Sequence, residues 1–395
     1  MQHALRPYVT AGIALVGSSL ISVTPAVAPM PGIATIRDVA LTGAMEDFLA
    51  PWIEQYNTAA ANATTLFNNF ALAPFVGYQQ DLANQGDFWS AILADPSSIP
   101  EQVAQLQEHM KASADAYSLI NAGGPTGLAG GDPFTDLVVA HTLSGEADLD
   151  LSGDNISVLG HQFLLAFLPS ILPPDLDRDL VLPILNFLSS PLSGILIGSI
   201  GPWLSPGVAL LNSIQDGDGL NEIMANMVGA YFNGATLNLD FLIPLVESTG
   251  LLPEGTNVYH IDLALGGLLT PGVVGSAPNL VPGTGEEIAA PGGSIFNSLG
   301  LNIDASLLGA VLPAVTPAHA VGPIGAWEGW MQALGVVLGS GWSGKANPQD
   351  AVAPLTGFQL PQIPADIFGL DDGGVGAGDA TDVFADLAGL IGFDA

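Results

Sequence analysis

Apolar residues recur at helical spacing in the first third of the chain. One stripe occupies positions i, i+3, i+4, i+7, i+8 and i+11 from residue 45, as one face of an α-helix does. It consists of Met45, Phe48, Leu49, Trp52, Ile53 and Tyr56. Pro74 and Pro100 stand where a first helical turn tolerates the ring, so each is expected to open a new helix. Residues 44–122 are therefore predicted to be helical.

The helix that Pro100 opens is predicted to be amphipathic. Val103, Leu106, Met110 and Tyr117 fall on one side of it. Glu101 lies in its first turn, where an acid is favourable. Asn121 and Gly123 are typical of a helix C-terminus, so we expect the helix to end there.

Residues 180–215 contain no charged residue. A membrane span needs about 20 apolar residues, but this stretch is interrupted by Pro183, Pro191, Pro202 and Pro206. Proline breaks or kinks helices. We therefore expect buried core helices of about 10–14 residues, or re-entrant and interfacial helices, in place of one spanning helix. Apolarity alone does not distinguish a soluble core from a membrane-associated segment.

After Ala235 the apolar period changes to two, which is typical of strands with one buried face. Strands are expected over 236–242, 257–265 and 298–304. Their apolar positions are Leu237, Leu239 and Phe241; Tyr259, Ile261, Leu263 and Leu265; and Leu299, Leu301 and Ile303. Residues 147–153 are a candidate fourth strand. A last helix is predicted where four large residues share a face, namely Trp327, Trp330, Met331 and Leu334.

These elements predict an α+β fold, mainly helical, with a small antiparallel sheet and Gly/Pro-rich loops. A transmembrane β-barrel would show many alternating segments of about ten residues, and no clear pattern of that kind is present. Four regions are expected along the chain. They are a signal peptide (1–28), an amphipathic helical region (39–125), an apolar core domain of helices and strands (130–345), and a Pro/Gly- and Asp-rich tail with a short amphipathic helix (346–395).

The N-terminus has the order of a secretory signal. Arg6 precedes an apolar stretch of 14 residues, Thr10 to Val23, and the small-x-small sequence Ala26-Val27-Ala28 follows. This stretch is too short to span a membrane, so export is expected. Pro29 would directly follow a cut after Ala28, which leaves cleavage after Ala34, or no cleavage, as alternatives. The absence of cysteine is consistent with export without a disulfide framework.

The net charge of the chain limits the classes of partner that it can bind. The formal net charge is −33, with only 5 Lys and Arg against 38 acids. Binding to phosphate backbones requires clustered basic residues, so no nucleic-acid partner is expected. Residues 366–395 contain seven Asp and no base, which predicts a solvated tail. A helix with Asp382 as its cap is predicted within it, to dock on the chain's own domain or on a partner; its apolar face is Val383, Phe384, Leu387, Leu390 and Ile391.

One stretch resembles a phosphate-binding loop but lacks an essential residue. Gly339, Gly344 and Lys345 match the loop. However, Ala346 stands where a Ser or Thr must bind magnesium, and Pro348 comes too soon for a helix N-terminus. A Gly-rich turn is the favoured interpretation.

Two stretches resemble calcium loops in a similarly incomplete way. Asp148, Asp150, Ser152 and Gly153 have the right offsets, yet Leu159 occupies the position of the bidentate Glu. The segment 216–222 fails the same test. Each stretch is either a weak calcium site or a turn or helix cap.

The remaining residues give no local signature of catalysis. The histidines at 3, 109, 141, 161, 260 and 319 lack zinc-ligand spacing, and there is no Gly-x-Ser-x-Gly sequence. We therefore assign no catalytic, cofactor-binding or metal-binding residue, expect no cofactor, and predict that the protein is not an enzyme. Triads can also assemble from distant positions, which leaves an exported hydrolase as a minor alternative.

Several stretches carry a resemblance to a known family. They are "LRPYVTAGIALVGSSLISVTP", "NNFALAPFVGYQQ", "GSIGPWLSPGVALLNSIQDGDGLNEIMANMVGAYFNGATLNLD", "GGSIFNSLGLNI" and "VGPIGAWEGWMQALGVVLGSGWSG". Up to about residue 345 the chain resembles exported mycobacterial proteins labelled outer-membrane porins of the GjpA type. The resemblance implies a mycobacterial cell-envelope protein, with a pore of the outer membrane as one expectation. It brings no catalytic or binding residues.

Two functional hypotheses follow. The first is an envelope pore component that favours cations, because 38 acids outnumber the four basic residues after Ala28; Asp216 and Asp218 are the first acids to test. The alternative is a non-enzymatic secreted surface protein that binds envelope lipid or other envelope proteins. Either protein could form homo-oligomers. The expected location is the outer membrane or cell surface, or the secreted fraction.

Overall fold

The computed structural model describes residues 43–126, 131–145, 147–150, 155–171, 177–249, 256–275, 279–280, 287–307, 310–340 and 354–355. The chain divides into two compact units, Met1–Met45 and Glu46–Ala395. Only the start of the first helix belongs to the described part of the first unit. Every other described element belongs to the second unit.

Helices make up most of the described chain, as predicted. Their bounds are α1 Gly43–Leu72, α2 Val76–Ala94, α3 Ile99–Ser118, α4 Pro133–Val139, α5 His161–Ile171, α6 Arg178–Leu188, α7 Pro191–Asp216, α8 Leu220–Asn233, α9 Ile243–Ser248 and α10 Pro323–Val337. Short 3₁₀ turns lie at Pro96–Ser98, Asp240–Leu242 and Phe296–Ser298. Helix α3 begins as predicted, with Pro100 in its first turn. Pro191 is the first residue of α7, and the Ser190 hydroxyl caps this helix by accepting from the Ser193 amide.

The strands form one open sheet and one separate pair. They are β1 Ala147–Asp148, β2 Ser157–Leu159, β3 Ala235–Asn238, β4 Asn257–Leu265, β5 Asn279–Leu280, β6 Glu287–Ile288, β7 Leu299–Leu307 and β8 Ala310–Thr316. The sheet order is β1-β2-β8-β7-β4-β3, with β1 and β3 at the edges. All its pairs are antiparallel except β2 with β8. The α+β prediction is confirmed, and the sheet is mixed because of that one parallel pair.

Helix α10 lies at the centre of the core. It packs against α2, α3, α4 and α7, and Met331 and Leu334 are buried against Leu72 and Val76. Trp330 packs against a second cluster formed around Leu119, Val138 and Leu165. The helix and the shared apolar face predicted from residue 327 onward are therefore confirmed.

Two strands depart from the alternation that their sequences show. A register shift in β4 between Val258 and His260 places Val258 inward and leaves Tyr259 exposed, so the prediction that Tyr259 shares the buried face is wrong. The strand predicted over 236–242 ends at Asn238, whose side-chain oxygen accepts from the Asp240 amide. This turn starts a 3₁₀ helix and leaves Phe241 exposed.

The predicted break at Pro183 is wrong, since Pro183 lies inside α6. The predicted breaks at Pro202 and Pro206 are also wrong. Helix α7 continues through both residues for 26 residues. Each ring removes one backbone donor, yet α7 is held on several sides by α8, α10, β3 and β4. Strand β8 was not predicted, and it contains Pro313, a residue that normally argues against a strand interior.

Candidate functional site

Helix α7 buries small residues and exposes large apolar ones. Its inward side includes Ser193, Gly194, Gly198, Gly201, Ser205 and Ala209. Its outward side carries Leu196, Ile200, Trp203, Leu204, Leu211 and Ile214. The Trp203 side chain is 75% exposed. An amphipathic helix in a water-soluble protein usually has the opposite arrangement, so the exposed side of α7 is the first candidate for a binding surface.

Close backbone contacts explain the small residues on the inward side. A Cβ atom on Gly194 would lie 2.0 Å from the carbonyl oxygen of Gly293, and one on Gly201 would lie 2.2 Å from that of Gly266. The Ser205 hydroxyl donates to the carbonyl of Leu265 at 3.2 Å. Helix α7 therefore lies directly on the backbone of neighbouring loops. Ile197 and Val208 are buried with Leu265 and Val321, and most of its other large side chains are left on the outer side.

Helix α8 extends the same arrangement. Ala225, Gly229 and Ala230 are buried, whereas Leu220, Met224, Val228 and Phe232 are exposed at intervals of four residues. The two helices touch where the Trp203 and Tyr231 rings meet edge to face, with centroids 6.0 Å apart. We call the exposed side chains of both helices the apolar face. It consists of Leu196, Ile200, Trp203, Leu204, Leu211, Ile214, Leu220, Met224, Val228 and Phe232.

Polar contacts with α1 fix which side of α8 faces outward. The Trp52 indole donates to the side-chain oxygen of Asn221 at 2.9 Å. The Asn233 side chain donates to the backbone oxygen of Gln55 at 2.9 Å. These bonds occupy the polar side of α8 with a neighbouring helix. The apolar side is consequently the one left exposed.

The apolar face carries very little charge. No charged residue occurs from Pro191 to Gln215, and Glu222 is the one charged residue of α8. Within the described residues, α7 is the one helix long and apolar enough to cross a membrane, and 44% of its most apolar window is buried. Core helices of soluble proteins meet the same criteria, so hydropathy alone does not decide between the two.

Asp216 and Asp218 lie in the turn that joins α7 to α8. Asp216 ends α7, and Gly217 follows in the left-handed conformation with φ of 79°, which favours glycine. The Asp218 carboxylate accepts from the Asn226 side chain at 3.2 Å. Both acids line a polar pocket of about 190 Å³ beside Gln55. The predicted turn is present, with Gly217 as the C-cap of α7, whereas no side chain in the described part of the chain caps the start of α8.

A buried serine–histidine pair joins the start of α5 to the sheet. The hydroxyl of Ser144 lies 3.0 Å from Nδ1 of His161, and Nε2 of His161 lies 2.7 Å from the carbonyl oxygen of Leu299. Both side chains are only 1% exposed. Burial lowers the pKa of His161 to about 4. The hydrogen bond to Leu299 raises this pKa, and the nearby His319 lowers it, but both effects are smaller than that of burial. The buried, neutral ring therefore connects the segment around Ser144 to strand β7.

Glu328 is a buried acid in the middle of α10. It is 7% exposed, and its Oε2 atom has no hydrogen-bond partner among the residues that the structure describes. One turn later, the Gln332 side chain donates to the side-chain oxygen of Asn69 at 3.0 Å. Burial raises the pKa of Glu328 well above its usual value of 4.5, so the folded chain holds this carboxyl in its protonated form above that pH.

We expect Glu328→Gln to stabilise the protein at neutral pH. Above pH 4.5 the carboxyl is ionised in the unfolded chain but protonated in the folded one, so the wild type loses stability as pH rises. Glutamine removes this loss. Urea unfolding at pH 4 and pH 7 measures it: the gain over wild type should grow with pH. Glu222→Gln, on the exposed part of α8, serves as control, and a gain of equal size at both pH values would contradict the expectation.

The other residues considered from sequence are dispersed. No group of three or more His, Cys, Asp or Glu side chains within the described residues could hold a metal ion. Asp148 is in β1, whereas residues 151–154 of that calcium-like stretch lie outside the described part of the chain. Gly339 ends the α10 region with φ of 96°. Gly344 and Lys345, the signal segment and the helix predicted after Asp382 also lie outside the described residues.

Sequence patterns alone missed the apolar face. The absence of charge was visible from Leu180 onward, but the outward direction of the large side chains depends on contacts with distant loops. No protein-family profile, no curated protein and no solved structure matches this chain. The resemblance to exported mycobacterial proteins therefore stays a prediction.

Proposed function

We propose that this protein is a non-enzymatic envelope protein that attaches to lipid through the apolar face of α7 and α8. The observation that carries the proposal is the arrangement of α7, whose inward side is mostly small residues with Ile197 and Val208, and whose outward side carries six large apolar residues. Small residues at helix contacts, with large apolar residues facing lipid, are typical of helices in a membrane environment. The inner side of α7 packs on its own protein, so the proposed attachment is to the surface of the lipid layer.

Charge and burial together define the kind of lipid. Each large apolar side chain moved out of water contributes about 1.5–3 kcal/mol, and several side chains of the apolar face can enter the layer together. The chain carries a net charge of −33, and α7 and α8 contain no Lys or Arg. These helices therefore have no basic residue that could attract anionic headgroups. Neutral or zwitterionic lipid is therefore the proposed partner.

Vesicle flotation tests this proposal. Full-length protein is mixed with phosphatidylcholine vesicles and separated on a density gradient. We expect Ile200→Asp combined with Leu211→Asp to reduce the floating fraction about tenfold or more, because two charges would have to enter the apolar layer. Adding an anionic phospholipid to the vesicles should weaken flotation of the wild type, since the protein itself is acidic.

A matched control separates lipid binding from a general loss of apolar surface. Ile156 is 60% exposed and lies outside the apolar face, so Ile156→Asp should float like the wild type. Circular dichroism shows whether each variant is folded. Equal flotation of the double variant and the wild type would mean that the apolar face does not bind lipid.

A further inference from the structure

Helices α2 and α3 form an arm that contributes little to the core. No residue from 80 to 115 is buried. The buried residues of the two helices lie at its base, where Val76 and Gln79 begin α2 and Ala116 lies near the end of α3. Further out, the Asn84 side chain donates to the backbone oxygen of Leu338 at 3.0 Å. We call residues 80–115 the arm.

The arm nevertheless carries large apolar side chains at helical spacing. On α3, Val103, Leu106 and Met110 share one side, as the sequence predicts, but that side is exposed. On α2, Leu82, Trp89 and Leu93 are exposed at intervals of seven and four residues. Apolar side chains at this spacing are typical of a helix surface that packs against another helix.

A groove lies between the two helices. Its volume is about 410 Å³, and Phe88 and Trp89 of α2 and Leu106 of α3 supply its apolar side chains. Asp81 and Asp87 also line it. The groove therefore combines aromatic and aliphatic surface with carboxylates, which is the surface that an amphipathic helix with basic residues would complement.

The charge of the arm favours a cationic occupant. Six carboxylates lie between residues 80 and 115 against one basic side chain, Lys111, and Lys111 is already paired with Asp115. The exposed Trp89 ring can also accept a cation over its face. Two other occupants are disfavoured by the same charge. The segment 366–395 contains seven Asp and no base, and a second copy of the chain would bring the same acidic arm.

We propose that the arm binds a cationic amphipathic helix of a partner protein in the groove between α2 and α3. The apolar side of the partner helix lies on Trp89 and Leu106, and its Lys or Arg side chains lie beside Asp81 and Asp87. This surface is separate from the apolar face of α7 and α8, so the proposal does not depend on lipid binding.

Binding of a synthetic peptide tests the proposal on the full-length chain. The probe is a fluorescent helical peptide of about 20 residues made of Leu and Lys at amphipathic spacing, and a second peptide carries Glu in place of Lys. We expect anisotropy to show binding of the Lys peptide only. Asp81→Asn with Asp87→Asn should weaken it about tenfold, and raising the salt concentration should weaken it further.

The control must exclude general attraction to an acidic protein. Asp216→Asn with Asp218→Asn changes the net charge by the same amount in a different part of the chain, and binding should stay within about twofold of wild type. An equal loss in both double variants would overturn the proposal, as would equal binding of the Glu peptide or no binding of the Lys peptide.

The variant Leu106→Asp distinguishes a partner helix from two other occupants of the groove, a second copy of the chain and lipid. The expected result is weaker peptide binding, unchanged vesicle flotation and unchanged sedimentation. If this variant instead dissociated a dimer of the wild type, the arm would be a contact between copies of the chain. If it reduced flotation as strongly as the variant of Ile200 and Leu211, the arm would bind lipid. Either result would overturn the proposal.

Discussion

Gly201→Ala should destabilise the protein by about 3 kcal/mol or more, because an added Cβ has no space. That atom would lie 2.2 Å from the carbonyl oxygen of Gly266, which belongs to the backbone and has little freedom to move. Either α7 or the loop after β4 must shift. Urea unfolding followed by helical circular dichroism measures the loss.

A second glycine of the same helix serves as a control, at which alanine should raise the free energy of unfolding. Around Gly207 an added Cβ would meet no atom within 4 Å, and alanine is favoured over glycine in a helix by about 1 kcal/mol. Gly207→Ala should therefore stabilise the protein. Gly198→Ala, whose Cβ would lie 2.8 Å from a carbonyl oxygen, should fall between the two. Similar effects at Gly201 and Gly207 would contradict the close contact between α7 and the loops.

Local patterns were sufficient to predict the elements that have a regular apolar period. The helical period identifies α1, α3 and α10, Pro74 indicates the start of α2, and alternation identifies β4 and β7, because each pattern depends on nearby residues. Strand β8 was missed because Pro313 lies within it. The exposure of Tyr259 was missed because a bulge depends on how β4 pairs with β7.

The apolar period of a helix shows which residues share a side. It does not show which side packs against the core when neither side is charged. In α7 the choice depends on the carbonyls of Gly266, Gly293 and Gly322, which approach the helix only in the folded chain. In α3 the stripe around Leu106 is as regular as a core stripe, yet nothing in the described chain covers it. Both candidate binding surfaces therefore became visible only from the structure.

The wild type should lose about 3 kcal/mol of stability through His161 as pH falls from 6.5 to 4. An unfolded histidine has a pKa of 6.5, whereas burial holds the pKa of His161 at about 4 in the folded chain. Between these values the unfolded chain takes up a proton that the folded chain does not. The stabilising effect of the neutral ring is thus complete above pH 6.5 and is lost towards pH 4. The contribution of Glu328 changes in the opposite direction with pH, so the two residues must be measured separately.

Comparison of His161→Gln with the wild type isolates this contribution. Glutamine can still donate to the carbonyl of Leu299 but does not titrate, so the variant should be less stable at pH 7 and approach the wild type as pH falls. His109→Gln, on the arm and outside the core, is the matched histidine control. Urea unfolding at half-unit steps from pH 4 to 7 gives the two differences, in which the effects of the many carboxylates cancel. If the difference between His161→Gln and the wild type stays constant over this range, the neutral, buried state of His161 is disproved, because only a group whose pKa changes on folding can make that difference depend on pH.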